Sequence, residues 1–176
     1  MNNSTIKENE IYRGRICRFT HNEVTFEDGS TGYRDVLHLP GAVAVLAKDD
    51  EGNIFFVEQF RHAIMENLLE LPAGMLEKGE DPVEAALREL EEETGYKAHR
   101  IDFLCSFFTS PGVVNEKIYL YTASQLERTS QHLDEDEFLK VRKIPEKEIE
   151  QMILDNKIND GKTILALALA KMKKTR

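Results

Sequence analysis

The residues most able to do chemistry are crowded into one stretch, GMLEKGEDPVEAALRELEEETGY, from Gly74 to Tyr96. It carries seven glutamates and one aspartate against one arginine and one lysine. Glu89, Glu92 and Glu93 stand at positions i, i+3 and i+4. On a helix they share about a quarter turn. Like charges at those spacings repel by about a few tenths of a kcal/mol each on an open surface, and by more when partly buried. A solvated acidic face tolerates that repulsion. A bound cation removes it, and a set of oxygen ligands suits Mg²⁺ or Mn²⁺ better than zinc.

The element that positions these carboxylates is readable from its ends. Asp81 is a good N-cap, Pro82 suits the first helical position, and Glu84 completes a capping box in form. Gly95 is a natural stop. The spacing predicts a helix over 82–94, with Val83, Ala86, Leu87, Leu90 and Thr94 as its buried stripe. The three glutamates should flank that stripe. Arg88 is expected to pair with Glu84 and Glu92, four residues away on either side.

Around this helix the chain alternates strands and helices. IYRGRICRF, NEVTF and YRDVLHL read as N-terminal strands, with a turn at Asp28-Gly29. GAVAVLA reads as a central strand, and IFFVEQF as its neighbour after the turn DDEGN. LLELP is a short extended piece ended by Pro72. IDFLCSFF, KIYLYTA and FLKVRKI read as further strands. PEKEIEQMILDN reads as a helix that buries Ile149, Met152 and Ile153. TILALALAKMKK alternates like a strand, but its alanines, leucines and terminal lysines favour a helix. The expected class is α/β (α+β), with a small N-terminal antiparallel sheet over 1–40 and a mixed sheet covered by helices over 41–176. The boundary falls near Pro40-Gly41.

Composition bounds the function. A chain of 176 residues with 41% hydrophobic and 31% charged content is one globular domain's worth. No apolar window is long enough for a membrane span, and the N-terminus lacks the pattern of a secretory signal. Cys17 and Cys105 have no metal-like spacing, so a reduced pair in the cytoplasm is the expectation. A net charge of −9 argues against a nucleic-acid partner. An anionic small molecule remains open, because a bound cation inverts the local field.

The full stretch reads Gly74, five residues, Glu80, seven residues, Arg88-Glu89-Leu90, one residue, Glu92-Glu93, one residue, Gly95-Tyr96. It resembles the Nudix box at every fixed position. At typical residue usage such a match arises by chance roughly once in 10⁸ starting points. The resemblance implies a Nudix-type α/β/α sandwich that hydrolyses nucleoside diphosphates linked to another moiety. The diphosphate is anionic and repels a water nucleophile; divalent ions neutralise it, orient it and acidify water. Carried over by residue, Glu89 and Glu93 are the main metal ligands, Glu92 an additional one, and the Ala73 carbonyl a fourth. Two to three Mg²⁺ ions are implied, with Mn²⁺ as the substitute. Glu80 and Arg88 are expected to tie loop to helix, and Gly74 to let the backbone approach the metal.

Segments outside the box resemble the ADP-ribose pyrophosphatase branch: YRD at 33–35, EQFR at 58–61, ELPAG at 70–74, SPG at 110–112, LDEDEFLKV at 133–141 and NKINDGKT at 156–163. The resemblance implies hydrolysis of ADP-ribose to AMP and ribose 5-phosphate. Arg61 would contact phosphates or ribose. Arg34 would reach in from the N-terminal strands, Glu70 would contact substrate, and Pro111 would shape a specificity loop. Glu135 and Glu137 match the loop carboxylates of the branch, and either serves as the base. Glu116 is a further candidate carboxylate. One departure stands out. Related enzymes stack the nucleobase on an aromatic residue just after a segment like Tyr12-Arg13-Gly14, and here that position is Arg15, so Tyr12 or Phe19 would have to substitute.

Three alternatives stay open: hydrolysis of another nucleoside diphosphate sugar, hydrolysis of an oxidised nucleotide, and a non-catalytic sensor of ADP-ribose. Intact box carboxylates count against the sensor. The N-terminal strands are too few to be stable alone, so they are expected to pair with a second copy in a two-fold dimer.

Overall fold

A computed structural model describes residues 4–134 and 137–174. Its contacts divide the chain into two units. The first comprises residues 1–41 with 107–118, and the second comprises 42–106 with 119–176.

In the first unit, β1 (Ser4–Arg13), β2 (Arg18–Thr25) and β3 (Thr31–His38) form an antiparallel sheet in that order. IYRGRICRF is not one strand. A turn closed by the Gly14 N–H donating to the Cys17 carbonyl at 2.8 Å breaks it into the end of β1 and the start of β2. β2 is the inner strand and buries alternate residues, Thr20, Asn22 and Val24, as a one-faced sheet requires. The segment 107–118 joins this unit beside β3: Leu37 N–H donates to the Val113 carbonyl at 2.8 Å, and Asn115 N–H to the Leu37 carbonyl at 3.3 Å.

The second unit contains two sheets. β4 (Ala42–Ala47) lies between β7 (Ala73–Met75) and β9 (Lys117–Arg128), and β8 (Tyr96–Phe108) is the far neighbour of β9. β5 (Asn53–Arg61) lies between β6 (Glu66–Glu70) and β10 (Leu139–Pro145), antiparallel to both. β4 and the first half of β5 are continuous apolar runs, and both are buried almost throughout, as strands covered on two faces must be. The expected α/β class holds.

Three helices complete the unit: α1 (Pro82–Thr94), α2 (Glu146–Leu154) and α3 (Gly161–Lys174). The ambiguous TILALALAKMKK is helix, as its alanines and leucines favoured. α1 packs on the β7-β4-β9-β8 sheet through Ala85, Ala86 and Leu90, which share a core with Val43, Val45, Phe55 and Tyr121. Two alanines on that face let the helix axis lie close to the strands.

Candidate active site

α1 begins and ends as its sequence predicts. The Asp81 carboxylate accepts the Val83 N–H at 2.8 Å, and Gly95 closes the helix at φ 70° in the left-handed region. Its buried face differs from expectation. Val83 is exposed, and the buried residues are Ala85, Ala86, Glu89, Leu90, Glu93 and Thr94. Glu89 and Glu93 are therefore part of the buried face, where the wheel had placed them at its flank. The strands of β4 and β7 cover a wider arc of the helix than the apolar stripe marks.

Glu93 is 1% exposed. Its Oε2 accepts the Ala73 N–H at 2.8 Å, which ties α1 to β7. Burial pushes its carboxyl well above the usual range; the Ala73 N–H opposes that rise, and the charges of Glu89 and Glu137 add to it. Burial likewise raises Glu89, to about 7, against the pull of Arg88 and with the push of Glu92 and Glu137. Glu137 thus lies within electrostatic reach of both box carboxylates. Gly74 lies directly over Glu89, and a Cβ at Gly74 would overlap the Glu89 carboxylate. This glycine is required by close approach.

Arg88 organises the entrance. Its Nε donates to Glu80 Oε1 at 2.9 Å and Nη2 to Glu80 Oε2 at 3.1 Å, while Nη1 reaches Glu89 Oε1 at 2.8 Å and Glu92 Oε2 at 2.9 Å. Glu80 in turn accepts the Glu77 N–H at 2.9 Å. The loop-to-helix tie is as expected, but the expected Arg88–Glu84 pair is replaced by Glu80 and Glu89. A bidentate carboxylate eight residues upstream outcompetes an exposed helical neighbour.

The C-terminal end of α1 anchors the acidic loop. The Gln131 side-chain N–H₂ donates to the Glu93 carbonyl at 2.6 Å, His132 N–H to the Glu92 carbonyl at 3.0 Å, and Thr129 N–H to the Gly95 carbonyl at 2.8 Å. Carbonyls that the helix end leaves unpaired thus hold the start of the segment that carries Glu137. Glu135 lies outside the described residues. Nothing in the sequence signals this anchoring, which joins residues far apart in the chain.

A second polar cluster adjoins the first. Arg61, at the end of β5, donates from Nε to Glu70 Oε1 at 2.6 Å and from Nη2 to Glu70 Oε2 at 2.8 Å. Glu70 is 1% exposed, so its carboxylate faces protein partners. Burial raises its pKa, but the hydrogen bonds from Arg61 and the charge of Lys162 outweigh burial and hold it below the ordinary range. Arg61 also feels the Glu93 charge.

The remaining candidates belong to the first unit. Arg34 lies over the Phe26 ring, 5.0 Å from its centroid, and donates to the Tyr33 carbonyl at 2.8 Å. Pro111 and Glu116 lie in the segment 107–118, where the Thr109 N–H donates to the Glu116 carbonyl at 3.4 Å. Tyr12, proposed to stack a base, is exposed.

The family model of the NUDIX domain matches residues 38–167. The chain belongs to the Nudix family. It is 44% identical over 165 residues to a methanol dehydrogenase activator of Bacillus methanolicus, covering 93% of this chain and 89% of that one. It is 38% identical over 171 residues to an ADP-ribose pyrophosphatase of Bacillus subtilis (strain 168), covering 96% and 92%. A solved ADP compounds hydrolase shares the fold at TM-score 0.88 and 22% identity, over 98% of this chain and 94% of that one.

Nudix hydrolases need a divalent metal. Among the described residues, no three acidic, histidine or cysteine side chains already converge as an ion site. The donor set still fits one. Glu89 and Glu93 are buried on one face with raised pKa values; Glu89 shares the Arg88 guanidinium with Glu80 and Glu92, Glu93 accepts only the Ala73 N–H among the described residues, and Gly74 admits the Glu89 carboxylate against the backbone. Hard divalent cations take such carboxylates.

Proposed function

We propose that the chain hydrolyses the pyrophosphate bond of ADP-ribose to AMP and ribose 5-phosphate, with Mg²⁺ or Mn²⁺ in two to three positions. The observation that carries this reading is the pair of buried carboxylates, Glu89 against a glycine that admits no side chain and Glu93 on the Ala73 N–H. They, Glu92 and the Ala73 carbonyl are the metal donors. When bound, the ions neutralise the diphosphate and acidify water. Arg61 binds the diphosphate or ribose, with Glu70 behind it, and Arg34, Pro111 and Glu116 are further candidate substrate contacts. Either Glu137 or Glu135 accepts the proton as water forms a bond to one phosphorus and the bridging P–O bond breaks. The reaction gathers negative charge at the centre, so the protein's task is placement of groups and counter-charge around it.

Exposed Ile6, Ile11, Tyr12 and Tyr33 on the N-terminal sheet support the expected homodimer. Among the described residues, no helix is long and apolar enough to cross a membrane. Two free cysteines support a reducing, cytoplasmic setting. The test is a substrate panel with each metal. ADP-ribose should be turned over in preference to GDP-mannose, UDP-glucose, diadenosine polyphosphates and an oxidised guanine nucleotide, and Glu93→Gln should abolish the release of AMP.

The similarity to a methanol dehydrogenase activator favours a second reading, in which the chain raises the rate of an alcohol dehydrogenase. Adding it to methanol dehydrogenase, with Glu93→Gln alongside, separates activation that needs the hydrolytic site from activation that does not.

A further inference from the structure

Glu70 joins Arg61 to the start of α3. Its Oε2 accepts both Arg61 Nη2, at 2.8 Å, and Lys162 Nζ. Lys162 in turn lies 3.1 Å from Asp160 Oδ2. Asp160 caps α3: its Oδ2 accepts the Thr163 N–H at 3.0 Å and the Thr163 hydroxyl at 2.6 Å. The fully buried Thr163 Oγ1 then accepts the Leu71 N–H at 2.9 Å. The residue after Glu70 and the residue after Lys162 are thereby bonded to one another, and the geometry between Glu70 and α3 is fixed twice over.

Two cations, Arg61 and Lys162, face two anions, Glu70 and Asp160. The side chain of Lys162 is 13% exposed, whereas that of Arg61 is 40% exposed. Lys162 is thus confined to the carboxylates, and Arg61 is the member that a ligand can meet. Arg61 uses Nε and Nη2 on Glu70; its Nη1 makes no hydrogen bond among the described residues. Without Lys162, Arg61 alone would face Glu70 and Asp160, with Glu93 adding a third negative charge nearby. A guanidinium so placed is drawn inward and its charge is spent on the protein.

We propose that Lys162 is a positioning residue for the substrate's diphosphate: it holds Glu70 from behind and so keeps the Nη1 edge of Arg61 outward. This deepens the reading of the site as a diphosphate hydrolase and rests on it. Sharing of the buried Glu70 carboxylate between two cations sets how tightly Arg61 is drawn onto it.

The test compares wild type with Lys162→Met, Lys162→Arg and Asp160→Asn. Asparagine caps a helix as well as aspartate, so Asp160→Asn removes a charge and keeps α3. Kd is measured by calorimetry in EDTA with two probes, ADP-ribose and inorganic pyrophosphate. KM and kcat for ADP-ribose are measured with Mg²⁺, and melting temperature is followed throughout. Lys162→Met should raise Kd and KM about tenfold while kcat stays within about threefold, and Lys162→Arg should recover most of the loss. Asp160→Asn leaves Lys162 to Glu70 alone, so its Kd should hold or fall. This comparison decides the matter even if Lys162→Met does not fold. Unchanged Kd in Lys162→Met, a lower kcat at constant KM, or a tenfold weaker Kd in Asp160→Asn would overturn the proposal. Wild type that binds pyrophosphate but not ADP-ribose would refute the substrate, while the effect of Lys162 would still be read on pyrophosphate. Wild type that binds neither overturns both.

Discussion

Glu93 and Glu89 are held where a carboxylate is uncomfortable, and that discomfort has measurable consequences. With its carboxyl raised to about 7, Glu89 binds a proton in the folded metal-free protein between about pH 4.5 and 7, where the unfolded chain has lost it. The folded state then binds more protons than the unfolded one, so stability falls as pH rises through that window and levels off above it. Melts in EDTA should show a declining Tm from pH 5 to pH 7.5, with Glu89→Gln flattening the decline; a Tm that rises over that range would contradict the assignment. Glu93→Gln keeps an acceptor for the Ala73 N–H and should remain folded. Loss of this proposed metal-ligating charge should lower kcat by roughly 10²-fold or more. Gly74→Ala tests the close approach independently. Its methyl would displace the Glu89 carboxylate, so activity should fall sharply, and restoration of full activity at high Mg²⁺ would show that space there is not limiting.

At the scale of elements, what binds loop to helix is Arg88. Its guanidinium joins Glu80, Glu89 and Glu92. Arg88→Met should cost about 1–3 kcal/mol, mostly from carboxylates left without their charged donor. The melting curve should therefore shift down and kcat should fall with it; an unchanged Tm would mean that the loop is held elsewhere. The boundaries of α1 were legible because its signals are local: an N-cap aspartate, a proline at the first position and a left-handed glycine. Partnership was less legible. Glu84 lies at ideal helical spacing from Arg88, yet Glu80 wins because the loop folds back, and folding back is not a periodic signal. The carboxylates of α1 were legible as chemistry, but their burial was not. Val83 is apolar and exposed while Glu93 is charged and buried, because the strands that cover the helix, not its own stripe, decide which face is inside. Arg61 and Glu70 were each picked out singly. Their joint engagement with Lys162 spans 92 positions between Glu70 and its partner, and only the fold brings those ends together.

Across the whole chain, the two units carry different residues. The second unit holds the box helix, the Arg61 cluster and the start of the acidic loop. The first holds Arg34, Pro111 and Glu116, together with exposed Ile6, Ile11, Tyr12 and Tyr33. Its sheet was readable from turn residues, except where Gly14 splits one apparent strand. The joining of 107–118 to that sheet was not readable, since it depends on Leu37 pairing with a distant loop. A three-stranded sheet with this much exposed apolar surface is expected to find a partner. Light scattering at micromolar concentration should give twice the mass of a 20.2 kDa chain, and Ile11→Lys should shift it toward monomer. A monomer in the wild type would refute the dimer. The central claim is tested most directly by resolving the products of ADP-ribose incubated with the wild type and with Glu93→Gln, each with Mg²⁺. AMP and ribose 5-phosphate are expected in equal amounts from the wild type, and almost none from the variant although both are folded. Equal turnover by the two proteins, or intact ADP-ribose in both, would contradict it.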